Sequence, residues 1–322
     1  MQTITGKDIR LAAGLLEEGE LVAIPTETVY GLAGNALDEN TVLKIFTTKQ
    51  RPVFDPLIVH IRNEQEVQNY AVDIPDIAYK LMQNFWPGPL TLLLNKKQVI
   101  PDLVTSGLNT VALRVPDHGM LKELLDLVKF PLAAPSANPF GYISPTTAQH
   151  VADQLQGKIS YILDGGPCKI GIESTIIGFE NNNCILYRPG GLPASAIEKI
   201  TGTKVIMRLT STSTPHAPGL LESHYAPRKP VYFGDMKELI SKHNLNHAAL
   251  LCFTGNAVEY PGDIPIYKLS QKGDIEEAAR NLFSALRNFD QSAAQFLLAE
   301  KFPEVGLGLA INDRLKRASV KN

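Results

Sequence analysis

The sequence predicts an α/β protein in two parts, a mixed twisted-sheet domain followed by a small parallel three-layer domain. Three observations lead there. The 322 residues exceed the ~250–300 at which a single core stops growing. Short apolar strand-like runs are interleaved with helical patterns along most of the chain. Between them lies 208–228, RLTSTSTPHAPGLLESHYAPR, with six Ser/Thr and three Pro in 21 positions and no sustained apolar period. The expected division is therefore 1–207, a linker at 208–228, and 229–322.

In the first part, 21–25, 57–61, 90–94, 111–115, 131–134, 161–163, 175–178 and 185–188 read as strands. Helical stretches intervene near 7–18, 39–49, 76–85, 119–128 and 146–155. The strands at 161–163, 175–178 and 185–188 follow one another without a helix, so the sheet should be mixed and partly antiparallel. In the second part, strands at 231–234, 248–252, 264–268 and 296–300 alternate with helices at 236–243 and 274–288. A last helix follows Gly308, and this rhythm is that of a small parallel sheet covered by helices. The pair Gly306 and Gly308 reads as a tight turn into that helix, because a dinucleotide site would need a third glycine and a distal acid.

Composition excludes several classes of function. With 31 basic and 33 acidic residues, bulk charge gives no sign of nucleic-acid or membrane affinity. Residues 1–207 carry 17 basic and 21 acidic groups and 229–322 carry 12 and 11, so neither part is basic. Lys7, Asp8 and Arg10 stand where a signal peptide would need its apolar stretch, and no apolar run approaches the ~18 residues of a membrane span. Cys168, Cys184 and Cys252 match no zinc pair or disulfide framework. A soluble, reduced, cytoplasmic protein is expected, with no metal site of its own. There is no phosphate-binding G-x-x-x-x-G-K-[ST] loop, H-E-x-x-H or G-x-S-x-G.

Polar clusters at strand ends are the candidates for chemistry. PTETVYG at 25–31 offers hydroxyls and a glycine where a strand meets a loop, as a ligand contact or as simple turn chemistry. Lys49 and Arg51 end a helix before Pro52, which biases Arg51 out of helical geometry, so both cations can converge on a phosphate chain. Helix-dipole partnership is the plainer alternative. In the strand 110–115 a period of two puts Thr110, Ala112 and Arg114 on one face and Val111, Leu113 and Val115 on the other. A buried Arg114 needs an anion, either an internal carboxylate or a ligand's. APSAN at 134–138, SPT at 144–146, GIEST at 171–175 and YRPGG at 187–191 add hydroxyl, amide and guanidinium donors, each open to a turn or capping role. Asp164-Gly165-Gly166 reads as a turn rather than a metal site.

Together these clusters resemble the YrdC-like threonylcarbamoyl-AMP synthases in their two-domain form. PTETVYGL at 25–32, KQRP at 49–52, PLIVHI at 56–61, FWPGPLTLLL at 85–94, ALRVP at 112–116, APSAN, SPT, GIESTI at 171–176 and RPGG at 188–191 stand in family order across residues 8–205. SHYAP at 223–227 and a small Rossmann-like domain after it match the long form. The resemblance implies an enzyme, a nucleotidyltransferase, joining L-threonine, bicarbonate and ATP into threonylcarbamoyl-AMP and pyrophosphate. That adenylate feeds threonylcarbamoylation of the adenosine beside the anticodon of ANN-decoding tRNAs. It places Thr28, His60, Arg114, the Ala134 backbone and Ser174 on threonine. It places Arg51, Asp55, Thr110, Ser136, Ser144, Arg188 and Tyr225 on ATP, with Lys49 and Arg51 beside the phosphates and Mg2+ arriving with the nucleotide. The family usually has Asn where this chain has Asp55, so Asp55 is expected to lean on Arg51 or to help hold Mg2+ indirectly. The downstream partner implied is the tRNA threonylcarbamoyl-transfer machinery, with tRNA itself bound weakly or indirectly.

Two rival readings are weighed against this one. A hydrogenase-maturation carbamoyltransferase would need paired-cysteine zinc modules that three scattered cysteines cannot form. A double-stranded RNA or tRNA-binding module without catalysis would need a basic surface that neither part has. The segment at 208–228 is expected to act as a lid, with the Ser/Thr run 210–214 as flexible arm and Tyr225 covering the nucleotide.

Overall fold

The computed structural model describes residues 2–209, 218, 221, 224–254 and 264–320. The arm at 210–214 and Ser223 lie outside the described residues.

Two sheets organise the chain. The first contains β1 (Ile4–Gly6), β2 (Val22–Ile24), β3 (Gly31–Asn35), β4 (Ile58–His60), β5 (Ala71–Val72), β6 (Leu90–Lys96), β7 (Thr110–Arg114), β8 (Leu132–Ala133), β9 (Tyr161–Leu163), β10 (Thr175–Glu180), β11 (Asn183–Arg188) and β12 (Ile206–Met207). Its order is β1-β9-β2-β3-β8-β4-β7-β6-β10-β11-β12, with β5 on β6. Parallel pairs (β1/β9, β2/β9, β4/β7, β6/β10, β11/β12) alternate with antiparallel ones, as the consecutive strands implied. The second sheet, β13 (Val231–Gly234), β14 (Ala248–Cys252), β15 (Ile266–Lys268) and β16 (Phe296–Glu300), is parallel throughout in the order β13-β16-β14-β15.

Apolar periodicity decides which face each helix covers. Helices Glu39–Lys49, Asp76–Phe85 and Ala148–Leu155 bury Val42, Ile45, Leu81, Met82 and Val151 against Val59, Leu92, Val111 and Leu113. Helices Ile9–Glu17 and Gly119–Leu127 cover the other side of the β2, β3 and β9 end with Ala12, Leu16, Leu121 and Leu124. Over β4 and β7 that second side carries only a small apolar patch, Ile58 and Ala112 with Ile176, Ile185 and Tyr187. Beyond the patch, the same face presents His60 and Arg114, in the alternation read from the strand.

The two sheets are not separate beads. Val29, Ile143, Ile172 and Tyr225 share a core with Phe283, Leu286, Ile311 and Leu315. Residues 1–207 alone would expose that apolar surface, so a truncation there does not isolate a role for the linker.

Candidate active site

Strand β2 ends at Ile24, and the chain turns through Thr26, whose hydroxyl donates to Val29 O (2.7 Å) and accepts from the Thr28 and Val29 amides (3.0 and 3.1 Å). The bland reading of PTETVYG as a turn is therefore right locally. The same turn also sets Thr26, Thr28 and Val29 in the wall of a buried cavity. Facing them are His60 and Arg114 from β4 and β7, Ala134 and Ser136 after β8, Ser174 before β10, Arg188 at the end of β11, and Arg51. Pro218, His224 and Tyr225 close it from the C-terminal side, leaving a free volume of about 50 Å³.

Nine of the thirteen residues singled out in the sequence line this cavity: Thr28, Arg51, His60, Arg114, Ala134, Ser136, Ser174, Arg188 and Tyr225. Lys49, Asp55, Thr110 and Ser144 do not. Lys49 is buried at the end of its helix and its ammonium donates to Ser136 O and Asn138 O, both at 2.5 Å. It ties the helix to the APSAN loop from behind the wall. Asp55 is buried against Arg51 at 2.9 Å. Thr110 shares a strand face with Arg114, but Ala112 and its apolar neighbours stand between them. The Ser144 hydroxyl is fully buried and donates to Glu173 at 2.5 Å.

Charge in the cleft follows from burial. Arg114 contacts Glu27 at 2.6 Å and donates to Gly88 O at 3.2 Å, so an internal carboxylate does partner it. Arg51 has Asp55 and also donates to Pro56 O at 2.8 Å. Glu173 is claimed by Arg314, at 2.9 Å. Arg188 makes only bonds to neutral oxygens among the described residues: Ser174 O (2.9 and 3.1 Å), Ser174 Oγ (3.0 Å) and Pro218 O (3.3 Å). Buried cations thus outnumber buried carboxylates here, and an anionic ligand would restore the balance. Burial, then Arg51, lowers the Lys49 pKa well below the ordinary lysine range. Burial with Arg114 beside it does the same for His60, whose Nδ1 has no hydrogen-bond partner among the described residues, so the neutral imidazole is favoured. Burial also raises the Tyr225 phenol, with Glu173 adding to the effect.

Sequence reasoning missed Glu27, Glu173, His224 and Arg314. Glu27 and Glu173 sit inside motifs already recognised, and the signal was the requirement that buried arginines find anions. Arg314 gave no signal, because an arginine in GLAINDRLKRA reads as a solvated helix face.

One pH dependence follows. His60 and His224 are held neutral mainly by burial, and His150 is lowered to about 4 by burial and then Arg287. The unfolded chain takes up these protons near pH ~6.5 while the native state does not. Stability is then fully present above about pH 6.5 and falls as pH drops through that value. The melting temperature should decline steadily from about pH 7 to about pH 5, and a flat profile would contradict the assignment.

Residues 14–190 match the protein family described as "Telomere recombination", and 192–320 match "Threonylcarbamoyl-AMP synthase, C-terminal domain". Threonylcarbamoyl-AMP synthase of Pyrococcus abyssi is 45% identical over 97% of this chain and 94% of its own length. That of Bacillus subtilis is 40% identical over 97% and 92%. The crystal structure of P. abyssi Sua5 complexed with L-threonine superposes with a TM-score of 0.89 at 42% identity, over 99% of this chain and 98% of that one.

Proposed function

This chain belongs to the two-domain threonylcarbamoyl-AMP synthase family, and we infer that it condenses L-threonine, bicarbonate or CO2, and ATP into threonylcarbamoyl-AMP and pyrophosphate. The observation that carries this reading is the convergence of Arg51, Arg114 and Arg188 on one cavity with Thr28, His60 and Ser174. Three guanidinium groups suit a carboxylate and a phosphate chain held side by side. Arg114, Thr28, His60, Ser174 and the Ala134 backbone are assigned to threonine. Arg51, Ser136, Arg188 and Tyr225 are assigned to the nucleotide, with Asp55 acting on it through Arg51. Lys49 and Ser144 support that end from outside the cavity wall, through Ser136 O and Glu173, whereas Thr110 makes no contact with the wall among the described residues.

The chemistry asks for no protein nucleophile. The threonine nitrogen adds to CO2 and loses a proton, and a carbamate oxygen then attacks the α-phosphorus as pyrophosphate leaves. This is nucleotidyl transfer, driven by positioning and by fixed positive charge where the phosphates gain negative charge. The acids nearest the cavity, Glu27, Asp55 and Glu173, are each engaged by an arginine, and no cluster of three or more His, Cys, Asp or Glu suited to a metal occurs among the described residues. Mg2+ is accordingly assigned to the nucleotide phosphates as part of the substrate, where it would neutralise phosphate charge. Pro218, His224 and Tyr225 stand in the cavity wall opposite the β-strand residues, which supports a covering role for them. The adenylate is a mixed anhydride whose consumer is a carbamoyl transfer to tRNA adenosine. No helix among the described residues is long and apolar enough to cross a membrane.

The test is whether AMP and pyrophosphate form from ATP only when threonine and bicarbonate are both present. Threonine-independent hydrolysis alone would defeat the reading. Lys49→Ala and Arg51→Ala should chiefly slow adenylate formation, Arg51→Ala by about a hundredfold, with threonine affinity retained. Folded variants with parent rates at saturating ATP would remove both residues from the mechanism.

A further inference from the structure

We propose that Arg314, carried by the C-terminal domain, is a positioning residue for the nucleotide half of the cleft, making that domain a working part of the active site. Arg314 lies on the helix Gly308–Ala318, is fully buried, and does not itself line the cavity. Its guanidinium instead braces three parts of the wall at once. Nε pairs with Glu173 Oε2 at 2.9 Å, Nη1 donates to Pro189 O at 2.7 Å, and Cζ lies over the Tyr225 ring, 5.1 Å from its centre. Asp313 fixes the fork from its own helix, accepting from Nη1 at 2.9 Å.

Each braced element belongs to the cleft. Glu173 is a wall residue, and without a cation it would set a bare carboxylate against a triphosphate. Its other oxygen accepts from Ser144. Pro189 follows Arg188, so its carbonyl sets where the β11 arginine leaves the strand. Tyr225 closes the cavity. A second buried arginine of the same domain, Arg287, donates to Ile143 O at 2.5 Å and packs on the Tyr142 ring at 5.3 Å, while the Tyr142 hydroxyl donates to Asp290 at 2.6 Å. Tyr142 and Ile143 are therefore held from the C-terminal domain at successive residues, and the next residue, Ser144, reaches Glu173. Burying a guanidinium is costly, and apolar packing would join two domains more cheaply; what it adds is direction, since a planar fork fixes several groups together.

This inference rests on the reading that the cleft takes ATP. The test compares the parent with Arg314→Lys and with the double variant Arg314→Met/Glu173→Gln, which removes both buried charges so that the fold is not left with an unpaired carboxylate. ATP affinity is measured by calorimetry without threonine, and the KM values for ATP and threonine by turnover. The expected result is a loss of about tenfold or more in ATP affinity for the double variant, and a smaller loss for Arg314→Lys, with threonine KM within about twofold and cooperative unfolding preserved. ATP affinity equal to the parent in either folded variant, or ATP and threonine KM rising together, would overturn the proposal. A parent protein that binds ATP but shows no threonine-dependent turnover would instead defeat the functional reading, and the calorimetric comparison would still decide the role of Arg314.

Discussion

Arg114→Ala is expected to abolish threonine-dependent ATP consumption, by about a hundredfold or more, while ATP binding stays measurable. The strand β7 places Arg114 beside His60 and Thr28 in a cavity wall, with the guanidinium braced by Glu27 at 2.6 Å and Gly88 O at 3.2 Å. That bracing presents the remaining donors in a fixed orientation, which a free amino acid carboxylate can accept without reorganisation. Truncation alone would also strand the buried Glu27 and cost about 3–5 kcal/mol, so loss of activity could be mistaken for loss of fold. Arg114→Ala/Glu27→Gln separates the two effects. It should recover most of the lost melting temperature and none of the threonine-dependent rate. A folded double variant with parent threonine KM would leave Arg114 as half of a structural ion pair only.

Gly190→Ala should be severely damaging, because Gly190 stands where the backbones of the segments carrying Arg188 and Ser174 meet. A Cβ there would fall 2.3 Å from Glu173 O, 2.4 Å from Ser174 C and 2.5 Å from Ser174 O. These are backbone atoms, so no rotamer change can relieve the contact. The segments carrying Arg188 and Ser174 would have to part, although Arg188 holds Ser174 by three hydrogen bonds and Gly191 N donates to Glu173 O at 2.9 Å. A melting temperature lower by about 5–10 °C is expected, from overpacking of about 2–3 kcal/mol, with an activity loss larger than the stability loss explains. Gly119→Ala is the matched control, because a methyl added there would meet nothing within 4 Å. Gly190→Ala with parent stability and rate would mean that the two wall segments are free to move apart.

Much of this architecture is legible in the sequence, and the failures have physical reasons. The helices Glu39–Lys49 and Asp76–Phe85 and the strands Val231–Gly234, Ala248–Cys252 and Phe296–Glu300 fall where periodicity puts them, because each buries one stripe or both faces in an ordinary core. Strand β3, GLAGN, is invisible to the same reasoning. Its Gly34 lets the helix Glu39–Lys49 approach so closely that a Cβ would meet Thr41 Cγ2 at 2.6 Å, and a strand selected for closeness lacks the branched residues that announce strands. Strands β1 and β12 sit at the sheet edges with exposed residues, so no apolar pattern is imposed on them. For the site, residue chemistry was readable and spatial partnership was not. An arginine inside the apolar strand β7 shows that an anion is required, but nothing in a linear sequence says that Glu27 supplies it. The resemblance to a family located the cleft residues; it did not distinguish the wall from the bracing behind it, where Lys49, Asp55 and Ser144 lie.

One cleft is inferred to couple carboxylation of threonine to adenylation. The most direct measurement supplies carbon-13 bicarbonate, threonine and ATP to the purified full chain and follows the label by mass spectrometry alongside pyrophosphate. A labelled adenylate containing one threonine, one labelled carbon and AMP is expected, formed in step with pyrophosphate and absent when threonine is omitted. Pyrophosphate released with an unlabelled threonyl adenylate, or with free AMP alone at every time point, would contradict that coupling.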